Sequence, residues 1–137
     1  MKPLRPAPNY LLDTHIWFWY LTGSSRLSPG LRKEIDSPAS DLWYSPISVW
    51  ELGMLAERQR IRIGGEIRAW IDEALIRLPL QEAPLNREIA LLSLGVTLPH
   101  RDPADRFLAA TAMVYDLILM TVDTRLSKAR WLLTRSR

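Results

Sequence analysis

Four acidic residues, Asp13, Glu51, Asp105 and Asp123, stand where the chain could use them for chemistry. Asp13 closes the apolar run Tyr10-Leu-Leu, and Asp123 follows the apolar run 117–121 by two residues. Carboxylates gathered without a counterion repel one another, and their affinity for protons rises. A hard divalent cation relieves that repulsion, because Mg²⁺ and Mn²⁺ take carboxylate and water oxygens in octahedral geometry. Such an ion activates water and stabilises charge developing on a phosphate. These acids therefore allow phosphodiester hydrolysis with no histidine or serine nucleophile.

The elements that must position these acids alternate between short apolar runs and longer helical patterns. Strands are expected at 10–13, 42–45 (closed by Pro46), 80–83, 117–121 and, at an edge, 131–133. Helices are expected at 16–21, at 28–35 with Ser28 as N-cap and Pro29 at the first position, and from Ser48 through about 59. Further helices are expected at 66–78, at 86–94 with a Gly95 cap, at 103–115, and as a short turn over 125–129. In the 66–78 segment Ile67, Trp70, Ile71, Ala74, Leu75 and Leu78 share one face. The run 117–121 is apolar on both faces, as parallel strands are. This alternation predicts an α/β protein with βαβ units and a mainly parallel, Rossmann-like sheet covered on both faces. Sites in such folds lie at the carboxyl ends of strands, near the switch in strand order. Asp13 and Asp123 are strand-end acids, and Glu51 and Asp105 lie in the first turns of helices that open at the same edge.

Each acid also has a structural reading. Ser48 and Glu51 have capping-box spacing. Asp105 suits the positive end of a helix dipole, and Asp123 suits an N-cap or turn. Asp13, an acid ending a buried strand, has few structural duties.

Composition narrows the classes. The chain has 137 residues, room for one domain, expected over 9–137 behind a flexible arm at 1–8 that holds three prolines. With no cysteine there is no disulfide scaffold, thiol nucleophile or Cys-ligated zinc. The longest apolar run is 16–21, too short for a membrane helix, and the N-terminus has no apolar signal core, so a cytoplasmic protein is expected. The net charge is +3, but Arg125, Lys128, Arg130, Arg135 and Arg137 cluster near one end, and Arg58, Arg60 and Arg62 form a second group. Such clusters either draw phosphate backbones or form a solvated surface.

Taken in order, Leu11-Leu-Asp-Thr-His15, Ser48-Val-Trp-Glu-Leu52, His100-Arg-Asp-Pro-Ala-Asp-Arg106 and Thr121-Val-Asp123 resemble the PIN-domain family, more narrowly its VapC-type toxins, over about 9–133. That resemblance implies an α/β/α sandwich with a parallel sheet of four or five strands. It implies cleavage of single-stranded RNA by an acidic pocket that holds Mg²⁺ or Mn²⁺. By motif, Asp13, Glu51, Asp105 and Asp123 are its four acids, with Asp13 and Asp105 the firmest metal ligands and Glu51 and Asp123 completing the pocket, in part through water. It further implies a homodimer and a small antitoxin that inserts a basic side chain near the acids. Asp102 is a rival for the third position. The chain departs from the pattern with Ala104 in place of an aromatic residue and with Arg125-Leu-Ser-Lys after the fourth acid.

Around these acids, Thr14 and Thr121 are candidates to hydrogen-bond a carboxylate or the substrate, or to cap a helix. Arg101 and Arg106 are candidates to grip an RNA phosphate, and Arg106 alternatively pairs with an acid. The aromatic run Trp17, Trp19 and Tyr20 is too crowded for one short helix to bury whole, which predicts an exposed patch for the antitoxin. His15 and His100 are the only histidines. A dehalogenase-type phosphatase wants Asp-x-Asp after strand one, where His15 stands. A phosphorylated receiver domain wants a second acid there and a late strand-end lysine. A non-catalytic nucleic-acid-binding or signalling α/β module with an acidic metal pocket gives the four acids no catalytic task.

Overall fold

The computed structural model describes residues 7–98 and 102–137. Most of the expected 1–8 arm, together with His100 and Arg101, lies outside the described residues. Five strands, β1 (Asn9–Leu12), β2 (Asp41–Tyr44), β3 (Gln81–Glu82), β4 (Ile118–Met120) and β5 (Thr134–Arg135), pair only in parallel, in the order β3-β2-β1-β4-β5. Between them run α1 (Thr14–Thr22), α2 (Pro29–Asp36), α3 (Pro46–Glu57), α4 (Ile67–Arg77), α5 (Arg87–Gly95), α6 (Pro103–Val114) and α7 (Thr124–Ser127). The chain builds outward from β1 through β2 to β3, then returns to the other side of β1 to lay down β4. The switch in strand order therefore falls between β1 and β4, where such sheets open a crevice.

Strand residues alternate between two cores. Tyr10, Leu12, Leu42, Tyr44 and Met120 face one core, shared with Ile16 and Trp17 of α1, Leu31 and Ile35 of α2, Leu52 of α3, and Ile71 and Ala74 of α4. Leu11 and Leu119 face the other, with Leu108, Ala109 and Ala112 of α6 and Leu126 of α7. Side chains on successive strand residues point to opposite faces, so a central strand covered twice must be apolar throughout. The α/β/α layering expected from the sequence is what this alternation builds. No helix among the described residues is long and apolar enough to cross a membrane.

Several local expectations are corrected. The helix expected from Ser48 begins at Pro46, because the Ser45 hydroxyl accepts a hydrogen bond from the Ile47 amide at 3.1 Å and Pro46 takes the first helical position. Pro46 thus opens a helix as well as ending a strand. Gly95 is the last residue of α5, and the extended Val96 follows it, so there is no left-handed glycine cap. The edge strand expected at 131–133 forms later, at Thr134–Arg135. The aromatic run of α1 is no exposed patch: Trp17 is buried, and Phe18, Trp19 and Tyr20 pack half-buried against the first core.

Leu11 lies on the central strand with no exposed surface. Leu11→Ala is expected to lower unfolding free energy by about 2–5 kcal/mol, read as a shift of the urea midpoint. A loss under about 1 kcal/mol would mean that the second core closes over the lost side chain.

Candidate active site

The switch between β1 and β4 sets the site. The Asp13 amide donates to the Met120 carbonyl at 3.0 Å, carrying the β1–β4 ladder one step past both strands. Asp13 is then the N-cap residue of α1, with extended backbone, and its own carbonyl accepts from the Trp17 amide at 3.0 Å. Its side chain therefore stands at the strand's carboxyl end, only 7% exposed as a residue. The buried Thr121 hydroxyl donates to Asp13 Oδ2 at 2.6 Å and accepts from the Asp123 amide at 3.1 Å. One hydroxyl thus ties the two strand-end acids into a single frame.

The other two acids arrive on helices. Glu51 rides on α3, whose first turn is fixed by Ser45. The same turn is tied to α1 by the Thr14 hydroxyl, which donates to Ser48 Oγ at 2.8 Å. Ser48 is therefore an interior contact, and the capping-box reading of Ser48 and Glu51 is withdrawn. Asp105 lies in the first turn of α6, where Asp102 is the cap: Asp102 Oδ1 accepts from the amides of Ala104 at 2.9 Å and Asp105 at 3.4 Å. The rival third acid is thus a helix cap that also reaches the pocket.

A hollow of about 320 Å³ is lined by Asp13, Glu51, Asp102, Asp105 and Asp123, with His15, Trp19, Arg26 and Arg125 on its walls. All four acids singled out in the sequence meet there. Of the accompanying residues, Thr14 and Thr121 are fully buried, Thr14 acting on Ser48 and Glu51 and Thr121 on Asp13, and neither lines the hollow. Arg106 turns away, its Nη1 donating to the Val96 carbonyl at 3.0 Å, because it lies on the side of α6 that faces α5. Arg26 and Arg125 are pocket residues that the sequence did not single out for this place; an arginine beyond a helix or in a short turn carries no spacing signal.

The electrostatics follow from burial. Loss of water pushes the Asp13 carboxyl above its ordinary range, helped by the Asp123 charge, while the Thr121 hydroxyl, His15 and the Thr14 amide pull the other way. Burial also raises Glu51, with Asp13 and Asp102 adding to it and the Thr14 hydroxyl opposing. One cation already answers this charge. Arg125 Nε and Nη2 hold the two oxygens of Asp123 at 3.1 and 2.8 Å, and Nη2 stands 3.8 Å from Asp105 Oδ2. This is the fork geometry by which guanidinium grips carboxylate.

These donors suit a hard cation: they are oxygen ligands, with an excess of buried negative charge and no sulfur. Among the described residues, no three Asp, Glu or His side chains are grouped closely enough to hold an ion by themselves. An ion here would need water to complete its shell, which magnesium ordinarily keeps.

Asp13 generates a prediction of sign. The folded protein holds its proton more tightly than the unfolded chain, so the interval begins near the ordinary value of 3.8 and runs up to the raised folded value. As pH rises through that interval the unfolded chain ionises first and stability is lost; above it the cost is fully present. In EDTA, Asp13→Asn is expected to melt higher than wild type at neutral pH and to lose less stability between acid and neutral pH. Calorimetry finding the variant less stable at neutral pH would show that the Asp13 charge is compensated in the folded state.

Comparison with known proteins gives the family and the fold. A family profile described as PIN domain matches residues 10–132. Ribonuclease VapC22 of Mycobacterium tuberculosis is 31% identical over 120 residues, covering 88% of this chain and 91% of that protein. Among solved structures, VapBC2 from Rickettsia felis bound to a promoter DNA fragment superposes with a TM-score of 0.64 at 14% identity, over 93% of this chain and 97% of that one. A toxin-antitoxin complex from Klebsiella pneumoniae gives a TM-score of 0.65 at 17% identity, over 93% of this chain and 96% of that one. With its acids gathered at the β1–β4 switch, this chain belongs to the PIN-domain family, in its VapC-type branch.

Proposed function

We propose that this protein is a divalent-metal-dependent endoribonuclease that hydrolyses phosphodiester bonds in single-stranded RNA and acts in the cytoplasm as the toxin of a toxin–antitoxin pair. The observation that carries this reading is the meeting of Asp13, Glu51, Asp105 and Asp123 in one hollow, in a chain 31% identical to a named ribonuclease. Asp13 and Asp105 would hold Mg²⁺ or Mn²⁺, and Glu51 and Asp123 would complete the pocket through water. When bound, the ion supplies charge neutralisation at the phosphate and a more acidic water.

The chain's own residues do the positioning. Thr121 fixes Asp13 and the start of the Asp123 turn together, and Asp102 fixes the first turn of α6 that carries Asp105. The Thr14–Ser48 bond sets the helix that brings Glu51 to the wall. Such supports matter because a ligand set must be held to within a fraction of an ångström to be useful.

A small antitoxin with a basic side chain for this pocket, and a homodimer, belong to the same reading. The first is supported by the acidic hollow and by the similarity to a toxin-antitoxin complex.

Purified protein shown free of antitoxin is expected to cleave a mixed single-stranded RNA pool with Mg²⁺ or Mn²⁺ and to stop in EDTA. Asp13→Asn and Asp105→Asn are each expected to slow cleavage by about a hundredfold or more, the rate equivalent of the several kcal/mol that metal stabilisation supplies. Folded, antitoxin-free protein that cleaves no RNA with either metal would favour the non-catalytic binding module.

A further inference from the structure

The acidic hollow by itself repels a polyanion, so cations beside it must bring the phosphate backbone in. Two further hollows adjoin it on different sides. One, of about 610 Å³, shares His15, Glu51 and Asp102 with the acidic hollow and carries Trp50, Arg58 and Arg60. The other, of about 370 Å³, shares Arg125 with it and carries Lys128 and Trp131. Trp50 is 52% exposed and Trp131 39%, whereas Trp17, the large aromatic beside Asp13, is fully buried. The two exposed tryptophans are thus the ones that flank the acids, each with basic side chains at hand.

We propose that these hollows are two nucleotide subsites on either side of the acidic pocket, in which Trp50 and Trp131 stack unpaired bases while Arg58 and Arg60, and Lys128, take the neighbouring phosphates. The inference rests on the ribonuclease reading and adds the course of the strand to it. Aromatic faces accept any base, because every base has a π face, and a basic groove follows the backbone without regard to sequence. Stacking also requires that the base be out of a duplex, so this arrangement selects single-stranded substrate by geometry. Arg58 and Arg60 are exposed and make no ion pair among the described residues that would compete with a phosphate.

The test is binding of a short fluorescein-labelled single-stranded RNA by the full-length Asp13→Asn protein in Mg²⁺ buffer, read by anisotropy. Adding Trp50→Ala or Trp131→Ala is expected to weaken binding about tenfold each. Trp50→Phe and Trp131→Phe should recover most of it. Arg58→Gln with Arg60→Gln should reduce the slope of log affinity on log salt by about 1.4, at roughly 0.7 per cation for a single strand. The same RNA as a duplex should bind more weakly and be indifferent to both alanine variants. Undiminished RNA binding by both folded alanine variants would overturn the two-subsite path and leave the nuclease reading intact. Loss of antitoxin binding on Trp50→Ala with RNA binding unchanged would assign that hollow to a protein partner and overturn the proposal there. Wild type that cleaves no RNA, with an Asp13→Asn protein that binds none, would remove both readings together.

Discussion

The structure turns on one buried charge held at the carboxyl end of the central strand. Asp13 has lost most of its water, and the groups that favour its ionised form are a threonine hydroxyl, a backbone amide and a histidine nearby. A buried carboxylate with so little compensation is costly unless something else neutralises it. Some of its neighbours offset that cost and others add to it. Thr121 lies fully buried, where its hydroxyl has only internal partners. Asp123, Asp105 and Glu51 crowd the same hollow and add to the repulsion, while Arg125 offsets part of it. A protein selected for stability alone would place an apolar residue at this strand end. The retention of five carboxylates in one hollow is a departure from local rules of the kind that marks functional sites.

The sequence carried the fold well because the fold follows from periodicity. The apolar runs around Leu11 and Leu119 are covered on both faces, so each reads as a continuous hydrophobic run, and the acids after them are legible as strand ends. The gathering of Asp13, Glu51, Asp105 and Asp123 followed from that topology. Where the expectations failed, two local signals competed. Ser45 and Ser48 both precede apolar residues, and only the proline at the first helical position makes Ser45 the cap. Trp17, Trp19 and Tyr20 are many aromatics for a nine-residue helix, yet α1 packs on the first core, which buries Trp17 and half-buries the other two. Burial on several sides at once is a tertiary fact with no signature in one-dimensional spacing.

The partners of the charged side chains were the least legible part. Arg106 lies one residue from Asp105 in sequence, but adjacent helical positions point about 100° apart, so one faces the hollow and the other faces α5. Arg125 lies two residues from Asp123, and a short turn folds its guanidinium back over that carboxylate. Sequence proximity was the same kind of evidence in both cases, and local geometry gave opposite outcomes.

Arg125 also clarifies how an acidic pocket and a basic chain coexist. The exposed guanidinium lies over Asp123 and near Asp105. The same arginine lines the hollow that holds Lys128 and Trp131, so the acidic pocket and that basic wall meet at one side chain. Charge of both signs is therefore arranged by position: carboxylates sit at strand ends and in the first turns of helices that open at the same edge, and cations sit at the rim on short turns and helix ends. The net charge of +3 conceals this arrangement, because it sums two opposed patches that a polyanionic strand would meet in sequence.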